Sequence, residues 1–197
     1  MRRLLPIVEG DAEIRAVPVL VRRILYHNGI FDVKILHPHL RGDINAVRKN
    51  FSRFIKMAMK EAASVLWVLD CDDGCPVTLV RELKSISNAE YKPYPIEYAF
   101  IVKEFESLFL SDAERTRKRL SIKQSIPFPA DPESIRGVKE WLSQNMPPGQ
   151  IYKPTIHQEA LSSAVDLDVL RGGSPSYRHF ERALLRLVAR GTNDVHT

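Results

Sequence analysis

One stretch constrains the fold of this chain more than any other: Ser64-Val-Leu-Trp-Val-Leu69, closed by Asp70-Cys71-Asp72-Asp73-Gly74. Its apolar residues do not alternate with polar ones. A strand built from it has no face to give to water and must be covered on both sides. Such strands belong to parallel sheets, whose crossover helices supply the two covers. The rest of the first half fits that arrangement. Leu4 to Val8 is a second apolar run, ended by Glu9-Gly10-Asp11. From Ala12 to Tyr26, the residues Ile14, Val17, Val21, Ile24 and Leu25 recur near helical spacing, and Asp11 is placed to cap them. Pro18 interrupts that pattern and predicts either a kink or a helix that begins near Val17, leaving Glu13 in the loop. Phe31 to Leu36 reads as a strand and His37 to Gly42 as a loop. A helix capped by Asp43 then runs to about Ala63. Helix from Pro76 to Ile86 and strand from Tyr98 to Val102 follow.

Beyond about residue 115 the strand signals stop. Helices are expected from Pro132 to Ser143, from Thr155 to Ala164 and from Ser176 to Ala189, with a turn over Arg171 to Pro175. The expected architecture is α/β: a mostly parallel four-stranded sheet flanked by helices over residues 1–114, with a helical C-terminal extension, 115–197, packed on it.

With 197 residues, 44% of them hydrophobic, the chain can bury a real core. No apolar run approaches the roughly 18 residues of a membrane span. The start, Met1-Arg2-Arg3-Leu4-Leu5, resembles a signal peptide only superficially, since Pro6 and then acid break it; the expected location is the cytoplasm. Cys71 and Cys75, with no second pair, are too few for a four-ligand zinc site. The net charge of +5 is compatible with a polyanionic partner.

Against that basic balance the acids stand out. In open parallel sheets ligands bind beyond the carboxyl ends of the strands. Glu9 closes the first strand, Asp70 the third, and Glu104 and Glu106 follow the fourth, so acids far apart in sequence converge on one edge. Asp70 and Asp72, two apart on an extended segment, point to the same side. Packed carboxylates repel, and one protonates unless a cation intervenes. Mg2+ needs about six oxygens and keeps several waters, so two or three carboxylates suffice.

These motifs resemble a TOPRIM domain, the Rossmann-like metal-binding module of topoisomerases, bacterial primases and overcoming-lysogenization-defect (OLD) nucleases. The resemblance rests on Val8-Glu9-Gly10, Glu13 four residues after Glu9, and Asp70-x-Asp72. The Glu-Gly-x-x-Glu form is closest to the OLD type. The segment Glu104 to Asp112, the pair Tyr152-Lys153, and Ser176-Tyr177-Arg178-His179-Phe180 are similar to a small bacterial family of stand-alone TOPRIM proteins. The resemblance implies that Glu9 is a metal ligand or general base, that Asp70 and Asp72 hold Mg2+ or Mn2+, and that Glu13 helps hold a second ion. Glu104 and Glu106 are further candidate ligands, and Lys153 a candidate for stabilising charge on phosphorus. It also implies a nuclease acting on DNA or RNA. OLD nucleases carry an ABC-type ATPase on the same chain; no Walker motif occurs here, so a separate ATPase partner in anti-phage defence is expected. An oligomer remains possible.

Other roles compete for the same residues. Glu13 suits the first turn of a helix, and Asp73 belongs to an Asp-Gly turn. The basic residues Arg48, Lys49, Arg53, Lys56 and Lys60 read as a solvated helix face. The alternative function is a non-catalytic TOPRIM scaffold or regulatory subunit. A third reading, nucleotidyl transfer as in primases, needs accessory parts that 197 residues are not expected to hold.

Overall fold

The computed structural model describes residues 1–40, 42, 44–61, 63–91 and 94–190, with the backbone alone for residues 44 and 48. The expected cap Asp43 and the side chain of Arg48 lie outside the described residues. Five strands form one sheet: β1 (Arg2–Val8), β2 (Val33–Ile35), β3 (His39–Leu40), β4 (Ser64–Asp70) and β5 (Ile96–Ile101). Every pairing between them is parallel. The order is β2-β1-β4-β5, and β3 also pairs with β1.

The fifth strand is a departure from the expected four, and Pro6 explains it. β2 pairs with Arg2 to Leu4, and β3 pairs with Ile7 and Val8. The Leu36 N–H donates to the Leu4 carbonyl on this edge. Alternate residues of a parallel strand bond to the same neighbour, so position 6 faces the same edge as position 4. Pro6 has no N–H to give there. The outer partner is therefore split around it, and His39–Leu40, a loop by sequence, becomes the second piece.

Nine helices are described: α1 (Glu13–His27), α2 (Ile44–Lys60), α3 (Pro76–Tyr91), α4 (Ser107–Leu110), α5 (Ala113–Leu120), α6 (Val138–Asn145), α7 (Pro154–Ala164), α8 (Leu167–Gly173) and α9 (Pro175–Arg190). Successive strand residues point to opposite faces and feed two cores. On one face Leu5, Ile7, Trp67, Leu69, Tyr98 and Phe100 meet Phe51 and Ile55 of α2 and Leu83 of α3. Trp67 stacks on Phe51 with centroids 5.5 Å apart. On the other face Leu4, Val8, Leu66, Val68, Ala99 and Ile101 meet α1 and α9. Each large apolar side chain buried this way stabilises by about 1.5–3 kcal/mol. That second core runs on without a break through Leu142 of α6, Leu161 of α7 and Leu170 of α8.

Several local expectations are corrected. α1 begins at Glu13, not near Val17, and carries Pro18 within it. Asp11 is not the cap: Ala12 occupies that position, without a side-chain hydrogen bond. The helix expected from Pro132 to Ser143 is a 3-10 turn, Pro132–Ser134, and then α6, because Gly137 takes φ 66° between them. The expected turn over Arg171 to Pro175 is the end of α8 and the cap of α9, where Ser174 Oγ accepts from the Tyr177 N–H.

The chain leaves β1 toward β2 and β3 on one side, then crosses to β4 and β5 on the other. The connection therefore changes direction between β1 and β4, and the crevice at their carboxyl ends is where such sheets bind ligands.

Candidate functional site

Glu9 follows β1 and Asp70 ends β4, so the two strands at the change of direction each deliver a carboxylate to the crevice. The Asp70 N–H donates to Glu9 Oε2 at 3.2 Å. Glu13, the first residue of α1, folds back so that its Oε2 accepts from the Gly10 N–H at 2.6 Å. A Cβ on residue 10 would stand 2.7 Å from that same oxygen, which accounts for glycine between the two glutamates. Glu106, just before α4, is fully buried.

Two residues from the helical half reach into these acids. Gln158 of α7 donates from Nε2 to Glu13 Oε1 at 3.0 Å and to Glu106 Oε1 at 2.9 Å. Lys139 of α6 places its Nζ 3.5 Å from Glu104 Oε2 and 3.6 Å from Glu106 Oε2.

The electrostatics follow from crowding. Burial, then the negative charges of Glu9, Glu106 and Glu13, push the Asp70 carboxyl well above its ordinary range. Burial also raises Glu106, while Lys139 and the Gln158 hydrogen bond oppose the shift. Burial works against the charge on Lys139, but Glu106 and Glu104 outweigh it and hold the ammonium protonated. The Tyr152 phenol, buried against Glu106, is pushed upward as well.

The placement of the remaining candidates is uneven. Asp72 is exposed and left-handed, with φ 44°, and bridges to Lys103, itself at φ 63°. Two such residues facing each other at a strand end are strained backbone of a kind that collects at functional sites. Asp72 and Glu104 line an open pocket of about 150 Å³ with Asp73, Lys103 and Arg136. Lys153 lies exposed at the start of α7. The ammonium brought to the acids is that of Lys139. Neither Lys139 nor Gln158 was singled out by sequence, because no local pattern marks a lysine or a buried amide that meets its partners only through the fold.

Among the described residues, no three carboxylate, imidazole or thiol groups converge on one point at ligand distance. The donor chemistry nonetheless fits a hard divalent cation. All the candidate ligands are carboxylate oxygens. Glu104 Oε2 and Glu106 Oε2 are buried without a hydrogen-bond partner. Burial and then its neighbours' charge raise the Asp70 carboxyl, a conflict that a cation relieves. Glu9, Glu13, Asp70 and Glu106 are the residues placed to hold it.

Comparison with known proteins agrees on the fold. A family model described as "Domain of unknown function (DUF4276)" matches residues 8–185. No curated protein matches the chain. Among solved structures, the C-terminal region of the Xanthomonas campestris pv. campestris OLD protein aligns with 98% of this chain and 98% of that one, at 15% identity and a TM-score of 0.52. The C-terminal region of the Burkholderia pseudomallei OLD protein aligns with 96% and 98%, at 15% identity and a TM-score of 0.46.

Proposed function

We propose that this chain, which belongs to the DUF4276 family, is a nuclease that hydrolyses phosphodiester bonds of DNA or RNA with Mg2+ or Mn2+. One observation carries the reading. Glu9 and Glu13 from one stretch, Asp70 from a second and Glu106 from a third are gathered at the change of strand direction, where Gln158 joins Glu13 to Glu106, the Asp70 N–H joins Glu9, and burial and then the neighbouring negative charges raise the Asp70 carboxyl. The fold shared with an OLD C-terminal region supports it.

A bound divalent ion supplies an activated water and stabilises the leaving oxygen. The chain's own residues set the conditions for that. Glu9 and Asp70 are fixed to each other through the Asp70 N–H. Gly10 and Gln158 fix the two oxygens of Glu13. Lys139, already charged and half-buried, is the donor placed to meet a non-bridging phosphate oxygen as negative charge builds on it. At the rim Lys103 and Arg136 share one oxygen of Asp73, at 2.8 and 2.5 Å, so two cations stand among the acids of the mouth. In this reading Asp72 and Glu104 act at the rim, and Lys153 meets the nucleic acid outside the crevice. The metal-binding unit is assigned to 1–114 and the helical extension to 115–197. We further infer a cytoplasmic effector that works with a separate ABC-type ATPase in anti-phage defence, as the resemblance to OLD nucleases implies.

The polyanionic partner has a surface to follow. Arg178, Arg182, Arg186 and Arg190 recur every fourth residue along α9, about 6 Å apart. The helix starts beside the carboxyl end of β5, where Ser176 Oγ accepts from the Val102 N–H. It ends at the other end of that strand, where Arg186 and Arg190 pair with the buried Glu97.

A second reading, a non-catalytic scaffold, is favoured by one observation: Lys139 and Gln158 compensate the acids with protein groups. Cleavage of plasmid DNA, single-stranded DNA and tRNA in Mg2+ and in Mn2+ separates the two. Cleavage that stops with EDTA and with Asp70→Asn establishes the nuclease. Silence on all three substrates in both metals leaves a subunit that awaits its ATPase partner or a scaffold, and capture of bound proteins separates those.

A further inference from the structure

We infer that Gln158 is a positioning residue, which holds Glu13 and Glu106 in the orientation that binds the divalent ion; the inference rests on the metal-site reading above. Gln158 is fully buried. Its carboxamide has two N–H hydrogens, and Nε2 makes one bond to each of two carboxylates, at 3.0 and 2.9 Å. The reverse orientation would set the amide oxygen against two carboxylates, so the chemistry fixes which end points inward.

The residue type matters. Two carboxylates forced together in a buried site need a donor between them. Lys139 already stands 3.6 Å from Glu106 Oε2, and a second ammonium between Glu13 and Glu106 would cancel a further charge. A neutral amide joins the two anions and leaves their charge in place. It ties one oxygen of each, while Glu106 Oε2 keeps no hydrogen-bond partner of its own. The Gly10 N–H takes the other oxygen of Glu13, which leaves that side chain no freedom to swing.

A second observation points the same way. Gln158 Oε1 is buried and has no partner. An unpaired buried acceptor costs about 1–3 kcal/mol. Leu in its place would avoid that cost if packing were the only demand on this position. The structure keeps the amide, so its N–H groups must be needed where they point. Groups that orient metal ligands in this way typically change metal affinity by about 10–100-fold when removed.

The test is Mn2+ affinity by calorimetric titration of the whole chain, with no substrate present, for the wild type, Gln158→Leu, Gln158→Met and Ser162→Ala. Ser162 lies on the same helix, is equally buried, and its Oγ makes no hydrogen bond to the acids, so it reports the general cost of altering α7. The expected result is a 10–100-fold weaker affinity in both Gln158 variants, an unchanged one in Ser162→Ala, and cleavage that recovers toward wild type as Mn2+ is raised. Wild-type affinity in folded Gln158→Leu or Gln158→Met overturns the positioning role and leaves the metal site standing. Unfolding of both variants also overturns it, since Gln158 is then a packing residue. A wild type that binds no Mn2+ overturns the metal reading and this inference with it.

Discussion

Gly10 shows how one missing side chain can fix a functional one. The oxygen of Glu13 occupies the volume where a Cβ would stand, at 2.7 Å. That oxygen ends a flexible side chain, so Gly10→Ala should displace the carboxylate and leave the backbone as it is. Folding stability by thermal melt should stay within about 1 kcal/mol, while cleavage falls by about 10–100-fold; equal losses of both would show that the glycine serves the fold. Asp70 makes the opposite trade. Its carboxyl, raised by burial and by Glu9, Glu106 and Glu13, keeps its proton in the folded chain to higher pH than in the unfolded one. Between the ordinary carboxyl value of 3.8 and that raised value the folded state holds more protons, so metal-free stability falls as pH rises. Asp70→Asn should flatten that dependence and raise the melting temperature near neutral pH by a few degrees, the shift that about 1 kcal/mol gives a chain of this size. It should also end cleavage. Glu9 and Asp70 were legible in the sequence because each ends an uninterrupted apolar run. Glu13 entered only through the resemblance of Glu9-Gly10-x-x-Glu13 to the OLD type. Glu106 was visible only as one of two acids after a strand, and burial is what separates it from Glu104.

At the scale of elements, the clearest joint is the entry to α9. Ser174, fully buried, accepts from the Tyr177 N–H and donates to Glu133 Oε1, which also takes the Ser176 N–H. A serine cap, a proline in the first turn and a carboxylate against the N-terminal N–H groups all favour the helix start. Ser174→Ala should cost about 1 kcal/mol, read as a melting temperature lower by about 2–4 °C, with Mn2+ affinity unchanged; a larger loss of affinity would mean that α9 sets the acids. Patterning exposed the strands and long helices, because their periods are set by burial. It missed β3, whose two residues pair only because Pro6 divides the neighbouring edge, and the short helices α5 and α8, the second of which ends in Gly172 and Gly173, which read as a turn. Helix through those glycines is held by its neighbours: Arg171 grips Glu181 of α9 with two hydrogen bonds, at 2.8 and 2.7 Å.

For the whole molecule, the surplus of positive charge and the negative crevice belong together. In the proposed function the arginines of α9 draw a phosphate backbone toward a site that receives it through a divalent ion. Nucleic-acid affinity should fall as salt rises, and Arg182→Ala should lower the slope of log affinity against log salt by about 1. Measured by fluorescence anisotropy across a salt series, an unchanged slope would place the track elsewhere; cleavage at saturating substrate should not change. The acids come from residues 1–114 and two of their donors, Lys139 and Gln158, from beyond them, a division of labour that sequence patterns cannot display because no periodicity links them. Gln158 reaches Glu13 across 145 residues, and Arg23 of α1 reaches the Val165 carbonyl, at the end of α7, across 142. Contacts of such separation demand that nearly the whole chain be gathered before they reward it, and they set the slow part of folding. The crevice is therefore expected to form late in folding: the sheet edge can exist before its acids meet Gln158, which reaches them only when α7 docks.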